Sequence, residues 1–193
     1  RDQAKASRLS AIGCEVAIAD LRDPSALEAT IAGASAVQII LPPPLLAKDA
    51  PAEMRQAIDS MVAVLKKARP IRVLAISDYG AHVPDDIGMP SMYRVFEEQL
   101  RTLDMQRILL RSAEHMEGWA RFIPVAAATG ILPSLHCPVD DAFATVSTND
   151  VGRIAAELLG GSGVDAAERV VHVEGPRRYS AIDVADALSL IVG

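Results

Sequence analysis

Aromatic side chains make up only 4 % of these 193 residues, so the core has to be built from Ala, Val, Ile and Leu. Half the chain is apolar, which is enough for one well-filled domain with a small appendage. Excess positive charge is missing as well: 19 Lys and Arg stand against 25 Asp and Glu, a net charge of −6. Nothing is left over to neutralise a phosphate backbone, so nucleic acid is not expected as a direct partner. Cysteine is nearly absent. Cys14 and Cys137 lie far apart and form no Cys-x-x-Cys pair, and both read as small core residues in a reducing, cytoplasmic setting.

No apolar run reaches the roughly 18 residues that a membrane-spanning helix needs. Pro42, Pro43 and Pro44 interrupt one candidate, and Pro124, Gly130 and Pro133 the other. The first five residues have no apolar signal-peptide core, and the absence of an initiator Met reads as an incomplete start. His82, His115, His136 and His172 show no paired helical spacing, so no metal site is expected. Asp85-Asp86 and Asp140-Asp141 read as solvated turns, and no lysine lies beyond Lys67.

Four segments have the length and β-branched content of buried strands: 15–19, 36–41, 71–76 and 106–111. Helical patterns precede each of them. Asp2 can cap a helix running to Ser10, and Asp23-Pro24 supplies a cap and a first-turn proline for 25–32. Gly13 and Gly33 provide the stops. In the helix predicted over 52–68, Met54, Ile58, Met61, Val62 and Leu65 draw an apolar stripe, and 92–103 is the next helix. This alternation predicts an α/β, doubly wound, mainly parallel sheet. Beyond Arg111 a helix is expected over 117–129, a short strand over 144–147, a helix from Asn149 to before Gly160, a strand over 170–173 and a last helix over 181–191. The chain therefore divides into an α/β core, 1–112, and a small α/β region, 113–193, which the resemblance described below implies to be a partial dinucleotide-binding core and a substrate-side region.

Open sheets of this kind bind ligands beyond the carboxyl ends of their strands, which directs attention to Asp20, Leu41, Pro42 and Pro43, Ser77 to Gly80, and Arg111 to Ala113. Asp20 can accept a hydrogen bond from an adenine amino group, or it can be a turn residue held by Arg22. The prolines can let an apolar ring lie against the chain or can simply end the strand. Ser77 offers a hydroxyl at a central strand end. Met116, Trp119 and Phe122 form a bulky apolar group just beyond the last strand of the core, fit to line a pocket or to pack in the interior.

Several pieces, in order, resemble the NmrA-like family of atypical short-chain dehydrogenases. They are Arg1 with Lys5-Ala6-Ser7-Arg8-Leu9, Gly13-Cys14-Glu15-Val16, and Ala19-Asp20-Leu21-Arg22-Asp23-Pro24, followed by Ile76-Ser77-Asp78-Tyr79-Gly80-Ala81 and Phe96-Glu97-Glu98-Gln99-Leu100. Leu110-Arg111, Met116-Glu117-Gly118-Trp119, Thr148-Asn149-Asp150-Val151-Gly152, Glu174-Gly175-Pro176 and Tyr179-Ser180 extend the likeness along nearly the whole chain. The resemblance implies a Rossmann-like NAD(P) site. In it Arg1 faces the adenosine 2′-phosphate, Asp20 and Leu21 hold adenine, Leu41, Pro42 and Pro43 line the ribose, and Ser77 approaches the nicotinamide. Tyr79, Met116, Trp119 and Phe122 then line the substrate pocket.

Two departures from the family pattern matter. The glycine-rich turn of the first βα unit would precede Arg1 and is absent, so weak or lost cofactor binding is expected of the chain as it stands. In the order 3-2-1-4-5-6, two missing strands would also leave 15–19 and 36–41 parallel and about 14 Å apart. The second departure is that Tyr93 is followed four residues on by Glu97, and Tyr79 by Val83, so the usual Tyr–Lys pair is lacking. The function implied is an NAD(P)H-dependent oxidoreductase, with NADP or NAD as cofactor and a small carbonyl or quinone as substrate. Its proton would come from solvent, Tyr79 or Tyr93. The alternative is a non-catalytic NAD(P)-sensing protein with a regulatory protein partner.

Overall fold

A computed structural model of the chain describes residues 3–44, 46–161 and 166–192. Its main sheet has four strands: β1 (Ala36–Ile40), β2 (Arg72–Asp78), β3 (Gln106–Ser112) and β6 (Glu168–Val173), in the order β1-β2-β3-β6. All three ladders are parallel, with Ala36 opposite Arg72, Arg72 opposite Gln106, and Arg107 opposite Glu168. Two-residue strands β4 (Glu114–His115) and β5 (Thr145–Val146) form a separate parallel pair. The helices are α1 (Gln3–Ala11), α2 (Pro24–Ile31), α3 (Ala50–Ala68), α4 (Met89–Arg101), α5 (Ile123–Thr129), α6 (Thr148–Gly160) and α7 (Ala181–Val192). None of the helices among the described residues is long and apolar enough to cross a membrane.

Local chemistry sets the helix starts. The Asp23 carboxylate accepts from the Ser25 and Ala26 amides ahead of α2, and Asp49 accepts from Ala52 ahead of α3. Each of these helices, like α4, has a proline in its first two positions, where the missing N–H costs nothing. Arg69 closes α3 in the left-handed region at φ 48°, its amide donating to Leu65.

Strand side chains alternate between two cores. Val37, Ile39, Val73, Ala75 and Leu109 pack with Met54, Ile58, Leu65, Phe96 and Leu100 of α3 and α4. On the opposite face Leu74, Ile76, Ile108 and Leu110 meet Val151 and Ala155 of α6. Each fully buried Leu or Phe in these layers contributes about 1.5–3 kcal/mol. The two layers hold the carboxyl ends of β1, β2 and β3 level.

The segment 15–19 is not a strand: 14–20 carries no ladder, with Val16 40 % and Ile18 78 % exposed. A β-branched segment becomes a strand only when a neighbour takes up its backbone groups, and none of the described strands lies beside it. It is not paired antiparallel with β1 either. β1 is the sheet edge, with Val37 and Ile39 buried while Ala36, Gln38 and Ile40 are exposed. An apolar groove of about 200 Å³ runs along it, between Leu27 and Ile31 of α2 and Met61, Val64 and Leu65 of α3.

Three further expectations are corrected. The single helix over 117–129 is a 3₁₀ turn, Met116–Arg121, followed by α5, because Pro124 lacks the amide a continuous helix would need and so opens a new one. β4 escaped detection, being too short to show a period. Cys14 and Cys137 are exposed free thiols, not core residues, since both lie in segments outside the two packed layers.

Candidate functional site

Two adjoining hollows open at the carboxyl edge of the sheet. The first, about 260 Å³, is lined by Ala19, Asp20, Leu21 and Arg22 after α1, by Pro42, Pro43 and Pro44 after β1, and by Glu53, Met54 and Ala57 of α3. The fold thus brings Asp20 and Leu21 against Pro42 and Pro43, residues more than twenty positions apart. The Asp20 carboxylate accepts from the backbone N, Nε and Nη2 of Arg22 at 2.9, 3.1 and 3.0 Å, and Arg22 also reaches Glu53 at 3.4 Å. The turn reading of Asp20 is therefore realised, while a carboxylate's several lone-pair sites leave it able to accept from a ligand as well. Arg1 lies outside the described residues.

The second hollow, about 710 Å³, lies over the ends of β1, β2 and β3. Leu41, Pro42, Pro43, Ser77, Asp78, Tyr93 and Ser112 line its floor, and Glu114, His115, Glu117, Arg121, Leu135 and His136 its far side. A narrow extension continues between Trp119, Phe122, Leu135 and His136. There His136 stacks on Phe143 with ring centroids 3.5 Å apart, Trp119 lies 6.1 Å from both His136 and Phe122, and His136 Nε2 pairs with Glu114 at 2.9 Å. Trp119 and Phe122 therefore meet in one aromatic end. Tyr79 and Met116 line neither hollow: the Tyr79 hydroxyl donates to Glu174 at 3.3 Å and its ring meets His172 edge-on, while Met116 is 41 % exposed.

Beneath the floor lies a buried ionic network. Glu97 is fully buried and accepts from Ser77 Oγ at 2.7 Å, Arg111 Nε at 2.9 Å, Arg111 Nη2 at 2.6 Å and Arg101 Nη2 at 3.3 Å. Burial pushes the Glu97 carboxyl up, but the hydrogen bonds from Arg111 and Ser77 and the charges of Arg111 and Arg101 outweigh it and hold the group below its ordinary range. Glu97 lies four residues after Tyr93 on α4. The Ser77 proton is committed to it, so Ser77 has only lone pairs to offer a ligand. Burial, with a smaller contribution from Asp78, pushes the Tyr93 phenol up to about 12, and its hydroxyl donates to the Leu41 carbonyl at 2.8 Å. Desolvation likewise raises Asp78, against the Gly80 amide that donates to it at 2.7 Å.

Sequence reasoning did not single out His115, Glu97, Arg121 or His136 for this site. His115 follows the strand end after Arg111 that was already marked, and a search for proton carriers rather than metal pairs would have found it. Among the described residues no cluster of three or more His, Cys, Asp or Glu is arranged to hold a metal.

A parallel sheet flanked by helices with an open hollow across its carboxyl edge defines a Rossmann-like α/β fold, and solved structures share it. The NADPH-dependent quinone oxidoreductase of Escherichia coli, solved with NADPH, superposes with a TM-score of 0.80 at 20 % identity, over 99 % of this chain and 64 % of that one. The triphenylmethane reductase of Citrobacter sp., solved with NADP(H), gives 0.79 at 19 % identity over the same shares. A nucleoside-diphosphate-sugar epimerase from Staphylococcus aureus gives 0.70 at 17 % identity, over 91 % of this chain and 60 % of that one. The present chain thus spans less than two thirds of the length of these structures. No family model and no curated protein matches it.

Proposed function

We propose that this protein is an NmrA-like atypical short-chain reductase that uses NADP(H) to reduce a small carbonyl or quinone. The observation that carries this reading is the continuity of the two hollows through Pro42 and Pro43, from Asp20 and Leu21 at one end to the aromatic extension at the other. Their chemistry fits a dinucleotide. Asp20 offers carboxylate oxygens to an adenine amino group, the prolines offer a wall without donors, and Ser77 offers an acceptor to a carboxamide N–H₂. Arg1 is the residue proposed for the 2′-phosphate, since a guanidinium binds such a group bidentately. When bound, the cofactor supplies the hydride. The chain's own groups orient it, and Leu135 and His136, backed by Trp119 and Phe122, form the end wall of the large hollow against which a flat substrate would lie.

A second reading, a sensor that binds NAD(P) without turnover, is favoured by Glu97 in place of a lysine. NADPH titration followed by quenching of Trp119, the single tryptophan, and NADPH oxidation with menadione separate the two. In the full-length protein, binding with oxidation supports the reductase, binding without oxidation the sensor, and absence of binding overturns both.

A further inference from the structure

The donors on the large hollow are almost all committed. Ser77 gives its proton to Glu97, Tyr93 gives its own to the Leu41 carbonyl, and His136 Nε2 is paired with Glu114 while its ring is stacked on Phe143. Of the charged groups there, Asp78 accepts from Gly80, Glu117 accepts from Thr148 at 3.0 and 3.1 Å, and Arg121 brings a guanidinium, which serves as a fixed charge rather than a proton carrier. His115 remains.

Its position is fixed by short-range structure. Three residues past the end of β3, His115 pairs in parallel with Val146, and its half-buried imidazole lines the hollow beside Leu41, Ser77 and Tyr93. Nε2 lies 3.1 Å from Ser112 Oγ, which is itself 3.0 Å from the Ala113 carbonyl. A serine hydroxyl has one proton. With that proton on the Ala113 carbonyl, the oxygen accepts from Nε2–H, so the imidazole is held with hydrogen on Nε2 in both of its charge states. Nδ1 has no partner among the described residues, and it is the nitrogen whose proton comes and goes.

The geometry points to His115, positioned by Ser112, as the proton donor to the substrate oxygen; this rests on the reductase reading above. As a substrate carbon accepts a hydride and its electron pair from reduced nicotinamide, the displaced π pair moves onto the substrate oxygen. That oxygen bonds the Nδ1 proton, and the N–H electron pair stays on nitrogen. The neutral ring keeps Nε2–H on Ser112 and is recharged from water. The sum is substrate, NADPH and one proton giving reduced substrate and NADP⁺.

Menadione reduction by the wild type is expected to fall as pH rises and the donor loses its proton. His115→Gln should lose about 100-fold in kcat and this pH dependence, with NADPH and menadione binding, read by Trp119 quenching, unchanged. Imidazole in the buffer should restore part of the rate to His115→Ala. Independently of turnover, ¹⁵N spectra of the neutral protein should show the His115 proton on Nε2, and Ser112→Ala should remove that preference. A His115→Gln enzyme with wild-type rate and profile overturns the proposal and leaves the reductase reading standing, as does a neutral ring protonated on Nδ1. If His115→Gln does not fold, the imidazole response of His115→Ala and the wild-type ¹⁵N spectrum decide. A wild type that oxidises no NADPH with menadione overturns both.

Discussion

Glu97 Oε2 and Arg111 Nη2 lie 2.6 Å apart, joining the buried face of α4 to the end of β3 directly under the floor of the large hollow. Replacing one partner leaves a buried charge without its counterion, which typically costs about 3–5 kcal/mol. Glu97→Gln should therefore lower the unfolding free energy from urea titration by an amount in that range, seen as a lower midpoint with the slope unchanged.

The same pair sets a pH dependence. Glu97 is depressed in the folded state relative to an unfolded glutamate near 4.3, so its contribution is present above that value and is lost as pH falls through the lower, folded-state value. Denaturation midpoints across the acid range should show this limb in the wild type. In Glu97→Gln it should be reduced, and an unchanged acid limb would show that other carboxylates carry it.

Tyr93→Phe removes the donor to the Leu41 carbonyl, which should cost about 1 kcal/mol of stability. Turnover should stay within a few-fold, because a phenol at about 12 without a nearby lysine is poorly placed as an acid at neutral pH. A thousandfold loss with the fold intact would show that Tyr93 itself gives up the proton.

Thr145 Oγ1 is buried without a hydrogen-bond partner among the described residues. Thr145→Val keeps the shape and removes the unmet polar atom, so the variant should be more stable by about 1 kcal/mol, measured by thermal or urea unfolding.

Both thiols should titrate rapidly with a disulfide reagent in the native protein, since Cys14 and Cys137 are exposed and free. A native protein that reacts only after denaturation would place them in an interior, as their residue type alone suggests.

The sequence by itself determined the elements whose cause is local or periodic. The caps Asp23 and Asp49, the first-turn prolines and the β-branched runs around Val37, Val73 and Ile108 state their own geometry, and the crossovers between them permit only parallel pairing. It also marked Asp20, Leu41, Pro42, Pro43 and Ser77 as strand-end positions, because the carboxyl edge of such a sheet is where ligands fit. Only the tertiary structure decided that 15–19 stays outside the ladders, since a strand exists through its neighbour, and that β6 closes the far side of the sheet beside β3. It alone joined Glu97 to Arg111 and Ser77, three residues on two strands and a helix. It alone set His115 against Ser112 with Nδ1 unpartnered among the described residues, because hydrogen-bond commitments depend on distances that no spacing along the chain encodes.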